Sequence, residues 1–344
     1  MNKTKVTVLM PAYNAEKYIR QSIDSILNQS LPDFILLIID DGSTDKTEEI
    51  IHSYNDKRIV YIKNEKNIGV KETLNKGIAI ADTEYIARMD ADDIAIRERL
   101  ELQLEYMDSN KEIGVSGGCF EFFGDEIGTV KMPLRDEEIK AKLFFFSGLC
   151  HPTIIFRTEI LKKNNMLYGS PVDYNDSFGH KINEMEDSGL WHKLKHVTKF
   201  GNLDKVLIKY RKEGQNISLK NIKDVHNRKK IMYHYLLNEL GIVDPPEDET
   251  LFLFSLQYFK DDPKIENIKK YKEFLDRLII ANKSTRVYDL VQFEAAVNRV
   301  WEQFFYFLTS VKLKYVLRFW KVSGGFNFQQ TVYYLKLRYR SIVK

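Results

Sequence analysis

The chain has 344 residues, 44% hydrophobic and 29% charged, and a formal net charge of only +3. That length provides core for one large domain or two ordinary ones and excludes a small disulfide-stapled scaffold. The two cysteines, Cys119 and Cys150, read as free thiols of a reducing compartment, and with neither a leader peptide nor a ~20-residue apolar span a cytoplasmic protein is expected.

"KVTVLMPAYN" reads as a buried strand, Val6 to Met10, stopped by Pro11. In "AEKYIRQSIDSILNQS" the residues Tyr18, Ile19, Ile23, Ile26 and Leu27 share one helical face. "FILLIIDDGSTD" is a second apolar run ending in turn residues, and "DKTEEIIHSY" a second helix, with Asp45 and Glu48 spaced as a capping box. "RIVYIKN", "GVKETLNKGIAIA" and "EYIARMD" continue the rhythm as strand, helix and strand. From about Glu112 the pattern is mixed, with strands at "EIGVSGGCFEFFG" and "HPTIIFR" and a helix at "EDSGLWHKLKH"; after Ser218 it is largely helical.

Strand–helix alternation predicts an α/β protein with parallel strands and helices on both faces. Ligands of such sheets sit beyond the carboxyl ends of the strands. "PAYN", "DDGSTD" and "DADD" all fall at those ends, and three polar clusters on one rim make a site where each alone would be ordinary loop polarity.

Asp90-Ala91-Asp92 suits a hard divalent cation, Mg²⁺ or Mn²⁺, because few protein carboxylates leave positions for water and phosphate oxygens. Asp93 reads as a cap for a helix starting near Ile94. Asp40 and Asp41 can accept from a nucleobase N–H or cap a turn; the ring of Tyr13 can cover a base or simply pack. Lys71 opens a helix, where it meets a phosphate or only solvent. There is no Walker-type phosphate loop and no G-x-G-x-x-G after the first strand, which argues against kinase and dehydrogenase chemistry.

"VTVLMPAYN", "IIDDGSTD", "NIGVKETLNKGI", "EYIARMDADD", "RLELQ", "HPTIIFR", "EDSGLW" and "YRKEGQNIS" stand in an order and spacing that resembles the family 2 glycosyltransferases, over roughly residues 4 to 218. The resemblance implies a GT-A (Rossmann-like) mixed sheet flanked by helices. It also implies a nucleotide-sugar-dependent, inverting transfer to a glycan or lipid-linked saccharide, of the bacterial surface-polysaccharide type. By that resemblance Pro11, Tyr13 and Asp41 line a uridine pocket, with Ala12, Lys71 and Ala91 in the same donor-binding loops. Asp90 lies on the ribose side, Asp92 holds the metal, and Asp187 is the general base. Glu186, His151 and Trp191 are acceptor-side candidates.

The sequence departs from the family's pattern at three positions. Glu213 stands where a metal- or diphosphate-facing histidine is common, so Glu213 and Asp90 are candidate additional ligands; Arg97 replaces a proline, and Leu74 an arginine. The Q-x-x-R-W signature of processive relatives is absent, which favours one sugar per acceptor. Two alternatives remain in view: a sugar nucleotidyltransferase, which would want a glycine-rich phosphate loop after the first strand, and a sugar-nucleotide-binding protein without catalysis.

The expected division is a catalytic domain over 1–218 and a helical region over 219–344. Residues 301–344 hold eight Lys/Arg against one acid, Glu302. "WEQFFYFLTSVKLKYVLRFWKV" and "VYYLKLRYRSIVK" mix these cations with aromatics at helical spacing, which suits either peripheral contact with an anionic membrane or packing on the catalytic domain. No nucleic-acid recognition motif accompanies the charge.

Overall fold

The computed structural model describes residues 4–145, 147–169, 186–213, 232–243, 259 and 264–343, with the side chains of Glu186 and of 340–343 outside that description. The chain divides into two compact units, Met1–Asn221 and Ile222–Lys344.

The first unit opens with β1 (Val6–Ala12), α1 (Ile19–Leu27), β2 (Ile35–Asp40), α2 (Thr47–His52), β3 (Ile59–Lys63), α3 (Val70–Ile80) and β4 (Tyr85–Arg88). All four strands are parallel, with β1 between β2 and β4 and β3 outside β2. There follow β5 (Ile94–Ala95), α4 (Arg99–Ser109), β6 (Ile113–Gly124), β7 (Gly128–Val130) and α5 (Asp136–Leu143). The unit ends with β8 (Ile155–Arg157), α6 (Thr158–Lys163), α7 (Glu186–Leu194) and β9 (Lys199–Lys212). The sheet order is β3-β2-β1-β4-β8-β6-β9-β5, with β7 added to β6. β8 runs antiparallel to β4 and β6, while β9 lies parallel to β6 and antiparallel to β5, so the sheet is mixed.

Both faces are covered, and the period-2 alternation of β1 shows how. Val6, Val8 and Met10 pack with Ile19, Ile23 and Ile26 of α1 and with Leu100 and Met107 of α4. Leu9, between them, joins Leu74 and Ile78 of α3 and Leu190 and Trp191 of α7 on the opposite face. Each buried aliphatic side chain contributes about 1.5–3 kcal/mol. Leu74, at the position where the family often has arginine, is therefore a core residue, and Arg97 is exposed.

Three local expectations change. β1 runs through Pro11 to Ala12, with Pro11 opposite Ile39, because a strand end tolerates a missing donor. Asp45 does accept from the Thr47 N–H at 3.0 Å, but Glu48 pairs with Lys63 at 2.6 Å instead of closing a capping box. Asp93 caps no helix: Ile94–Ala95 pairs with β9 and the helix begins at Arg99.

In the second unit, helices span 232–239, Ile265–Thr285, Leu290–Val311, Val316–Ser323 and Phe328–Val343. Asp289 caps one of them by accepting from the Gln292 N–H at 2.9 Å. The aromatic run after Trp301 is not one continuous helix, because Lys312 adopts an extended conformation between two helices. Its first half is core: Phe304, Phe305 and Leu308 are buried, and Trp301 stacks on Phe319 with ring centroids 4.5 Å apart. Among the described residues no helix is long and apolar enough to cross a membrane.

Candidate active site

The parallel register places the ends of β1, β2 and β4 on one rim, Ala12 opposite Asp40 and Leu9 opposite Arg88. The loops after β1 and β2 are joined there. Asn14 N–H donates to Ser43 Oγ (2.9 Å), Thr44 N–H to Asn14 Oδ1 (2.9 Å), and Ala15 N–H to Thr47 Oγ1 (2.7 Å). Asn14 adopts φ 47°, a left-handed conformation that asparagine tolerates. Tyr13, beside this junction, is exposed.

The two aspartates after β2 do different work. Asp40 accepts from Ser43 N–H and from the Tyr61 hydroxyl, both at 2.8 Å, and so holds its own turn. Asp41 is buried and accepts from Asn64 Nδ2 (2.8 Å), Ile68 N–H (3.0 Å) and Gly69 N–H (2.8 Å), which folds the 64–69 loop over the rim. Gly42 permits that approach: its φ is +76°, and an added Cβ would lie 2.7 Å from the Lys66 carbonyl carbon. Lys71, on the first turn of α3, pairs with Glu72 at 2.9 Å.

At the end of β4, carboxylate oxygens of Asp90, Asp92 and Asp93 all lie within 4.8 Å of one another. Burial pushes Asp92 up to about 6, the charge of Asp90 adds to this, and Arg88 opposes it. Burial likewise pushes Asp93 up to about 8, followed by the charges of Asp90 and Asp92. Asp93 Oδ2 is buried with no hydrogen-bond partner. Arg88, 5% exposed, pairs with Asp90, and its Nε is also buried without a partner.

Asp187 heads α7, where its Oδ1 accepts from the Ser188 N–H at 2.6 Å. Burial raises its pKa; the Ser188 N–H and then the Arg88 guanidinium pull it down, and Asp90 pushes it up. Arg88 thus acts on both the aspartate turn and the head of α7. Glu186 shares that helix turn, but its side chain lies outside the described residues.

Glu213 is turned to other partners. Its carboxylate accepts from Lys17 Nζ at 2.9 Å and from the Tyr18 hydroxyl, and lies 3.4 Å from Arg211 Nη1. The hydrogen bond from Lys17, then that from Tyr18, lowers its pKa to about 2. The third carboxylate beside Asp90 and Asp92 is Asp93. His151 Nε2 lies 2.9 Å from the Tyr168 hydroxyl, and its ring meets Trp191 edge-on. Trp191 is 1% exposed and stacked on Phe156, so it is a core residue with no open face for an acceptor.

Arg88 and Arg211 border this cluster and were passed over by sequence reasoning, while Asp93, read there as a helix cap, joins Asp90 and Asp92 instead. The signal was present for Arg88, a charge inside the four-residue apolar strand "YIAR" that leads directly to aspartates. The "RLELQ" segment proves structural: Arg99 donates to the Arg88 carbonyl at 2.6 Å, and Gln103 to the Thr153 carbonyl at 2.7 Å.

Comparison with known proteins agrees with this geometry. Residues 7–164 match Glycosyl transferase family 2. An uncharacterized glycosyltransferase of Methanocaldococcus jannaschii is 36% identical over 247 residues, covering 69% of this chain and 79% of the relative. One from Haemophilus influenzae is 33% identical over 256 residues, covering 69% and 76%. The solved structure of S. aureus TarS 1–349 in complex with UDP-GlcNAc shares the fold with a TM-score of 0.56 at 20% identity, covering 87% of this chain and 92% of that one. The chain belongs to glycosyl transferase family 2, a glycosyltransferase whose mixed sheet flanked by helices is a GT-A fold.

Proposed function

We propose that the protein is a metal-dependent, inverting glycosyltransferase that moves one sugar from a UDP-sugar to a hydroxyl of a glycan or lipid-linked saccharide. The observation that carries this reading is the convergence of Asp90, Asp92 and Asp93 at the end of β4, with Asp187 under the influence of Arg88 and Asp90. The donor set is all carboxylate oxygen, which fits Mg²⁺ or Mn²⁺ and not a softer metal. An unpartnered buried oxygen on Asp93 and the raised pKa values of Asp92 and Asp93 are what acids built for a cation would show. Asp92 would hold the ion, with Asp90 and Asp93 beside it. A divalent ion bound there would neutralise charge on the departing diphosphate.

The other roles rest on the family resemblance together with where these residues lie. Pro11, Tyr13 and the Asp41-braced loop form the nucleoside side of the rim, with Asp90 toward the ribose and Lys71 on the first turn of α3. Asp187 accepts the proton of the acceptor hydroxyl as that oxygen attacks the anomeric carbon, and one base suffices because no covalent sugar–enzyme intermediate forms. UDP-GlcNAc bound to the TarS relative supports a uridine nucleotide. A nucleotide-sugar panel with Mn²⁺, scoring slow donor hydrolysis, tests the reading without an acceptor. UDP-sugars should be hydrolysed, and Asp92→Ala should weaken metal-supported UDP binding; undiminished enhancement of UDP binding by Mn²⁺ in that variant would refute the assignment.

A further inference from the structure

The hydrogen bonds of Arg99 account for its donors but not for its charge. The residue is 0% exposed. Its Nε donates to Gln103 Oε1 at 3.0 Å, Nη1 to Met89 Sδ at 3.1 Å and Nη2 to the Arg88 carbonyl at 2.6 Å. All three acceptors are neutral, and a neutral donor would serve any of them. A buried cation without a countering anion is costly. Two of the groups that Arg99 grips, the Arg88 carbonyl and the Met89 sulfur, lead directly into Asp90. Burial, and next the charge of Arg88, bring the Arg99 guanidinium down to about 10, whereas the charge of Asp93, and less strongly that of Asp90, holds it up. Its counter-charge is therefore the aspartate turn. Arg88 is enclosed as well and pairs directly with Asp90. Arg211 differs, because its guanidinium lies 3.4 Å from a carboxylate outside the turn, that of Glu213.

We infer that Arg99 is a positioning residue whose buried charge, with that of Arg88, balances the aspartate turn and sets how strongly the turn holds a divalent cation. This role rests on the turn being a cation site. Asp90, Asp92 and Asp93, with carboxylate oxygens within 4.8 Å of one another, repel. Two enclosed cations offset that repulsion, and burial spares them the screening that salt imposes on a surface lysine. A divalent ion arriving alone meets both positive charges, which lower its affinity. A diphosphate is attracted by the same charges, so the turn favours a cation accompanied by a diphosphate over a cation alone. A strut and a counter-charge differ here in sign. Cutting a strut loosens the ligands and weakens cation binding; removing a counter-charge strengthens it.

Titration calorimetry of the full-length protein with Mn²⁺ alone, UDP alone and Mn²⁺ in the presence of UDP makes the distinction. Arg99→Gln retains a donor and loses the charge. It should bind Mn²⁺ alone about tenfold more tightly and UDP alone about tenfold more weakly. Arg99→Lys, which retains the charge, should bring both values back toward wild type. Should Arg99→Gln fail to fold, Gln103→Glu cancels the same charge in place by setting a carboxylate against Arg99 Nε, and Mn²⁺ alone should again bind more tightly. Unchanged or weaker Mn²⁺ binding by the folded variant would overturn the role of Arg99 and leave the cation site standing. Failure of wild type to bind Mn²⁺, with UDP as well as without it, would overturn the cation site and the role of Arg99 together.

Discussion

Arg211 and Asp93, 118 residues apart, are joined by a 2.8 Å hydrogen bond from the Arg211 N–H to Asp93 Oδ1. The same arginine donates from Nε to the Asp92 carbonyl at 2.8 Å and from Nη2 to Gln21 Oε1 at 2.7 Å. Its guanidinium lies over the rings of Tyr18 and Phe123. The aspartate turn is therefore held from outside by β9 and α1. Arg211→Ala removes the side-chain bonds and keeps the backbone one. It should lower Mn²⁺ affinity about 10–100-fold, as loss of a residue that orients metal ligands does, with partial recovery in Arg211→Lys. Titration calorimetry with Mn²⁺ checks this; unchanged affinity would show that the turn holds its shape alone.

Substitution of Asp187, the proposed base, should separate binding from chemistry. Asp187→Asn keeps the size of the side chain and removes the base, so UDP affinity should stay within about twofold while transfer falls about 10²–10⁴-fold. Undiminished transfer by the purified variant would refute the role.

Glu213 provides a pH prediction whose sign is set by its lowered pKa. Its ordinary value is 4.5, and the Lys17 and Tyr18 hydrogen bonds bring it to about 2 in the fold. The ionised group therefore favours folding above pH 4.5, and that advantage is lost as the pH falls toward 2. Thermal melting of wild type and Glu213→Gln should differ at pH 6, with the difference shrinking below pH 4.5 and closing only near pH 2. A difference that widens on acidification would contradict the pairing.

Gly42 tests the loop geometry. Gly42→Ala combines a left-handed φ of +76° with backbone atoms 2.7–3.0 Å from the new Cβ. It should destabilise the protein by about 1–3 kcal/mol and displace the loop that Asp41 braces, weakening UDP binding beyond the loss of stability. Chemical denaturation and UDP titration on the same sample separate the two effects.

Local patterns carried much of this molecule. The alternating apolar residues of β1 and the spacing of Ile19, Ile23 and Ile26 on α1 were readable because a buried face imposes a period. The rim was readable because polar clusters fell at three strand ends. What escaped depends on long-range pairing. Asp93 looked like a helix cap because the strand Ile94–Ala95 exists only through β9, more than a hundred residues on. Glu213 stayed open as a candidate ligand because its engagement with Lys17 and Tyr18 spans almost two hundred residues. Trp191 stood as an acceptor-side candidate, a role that residue type alone cannot distinguish from core packing.

The position of β9 also bears on how the enzyme is made. Among the described residues it is the last strand of the sheet in sequence, yet it lies inside, between β6 and β5. On the ribosome, residues 1–198 can form the four parallel strands, but the gap beside β6 stays open and the aspartate turn lacks its brace until residue 212 emerges. Nascent chains stalled before that point should be protease-sensitive around β5 and unable to retain Mn²⁺. Pairings this distant in sequence form slowly, so closure of the sheet and birth of the active site should be one late event.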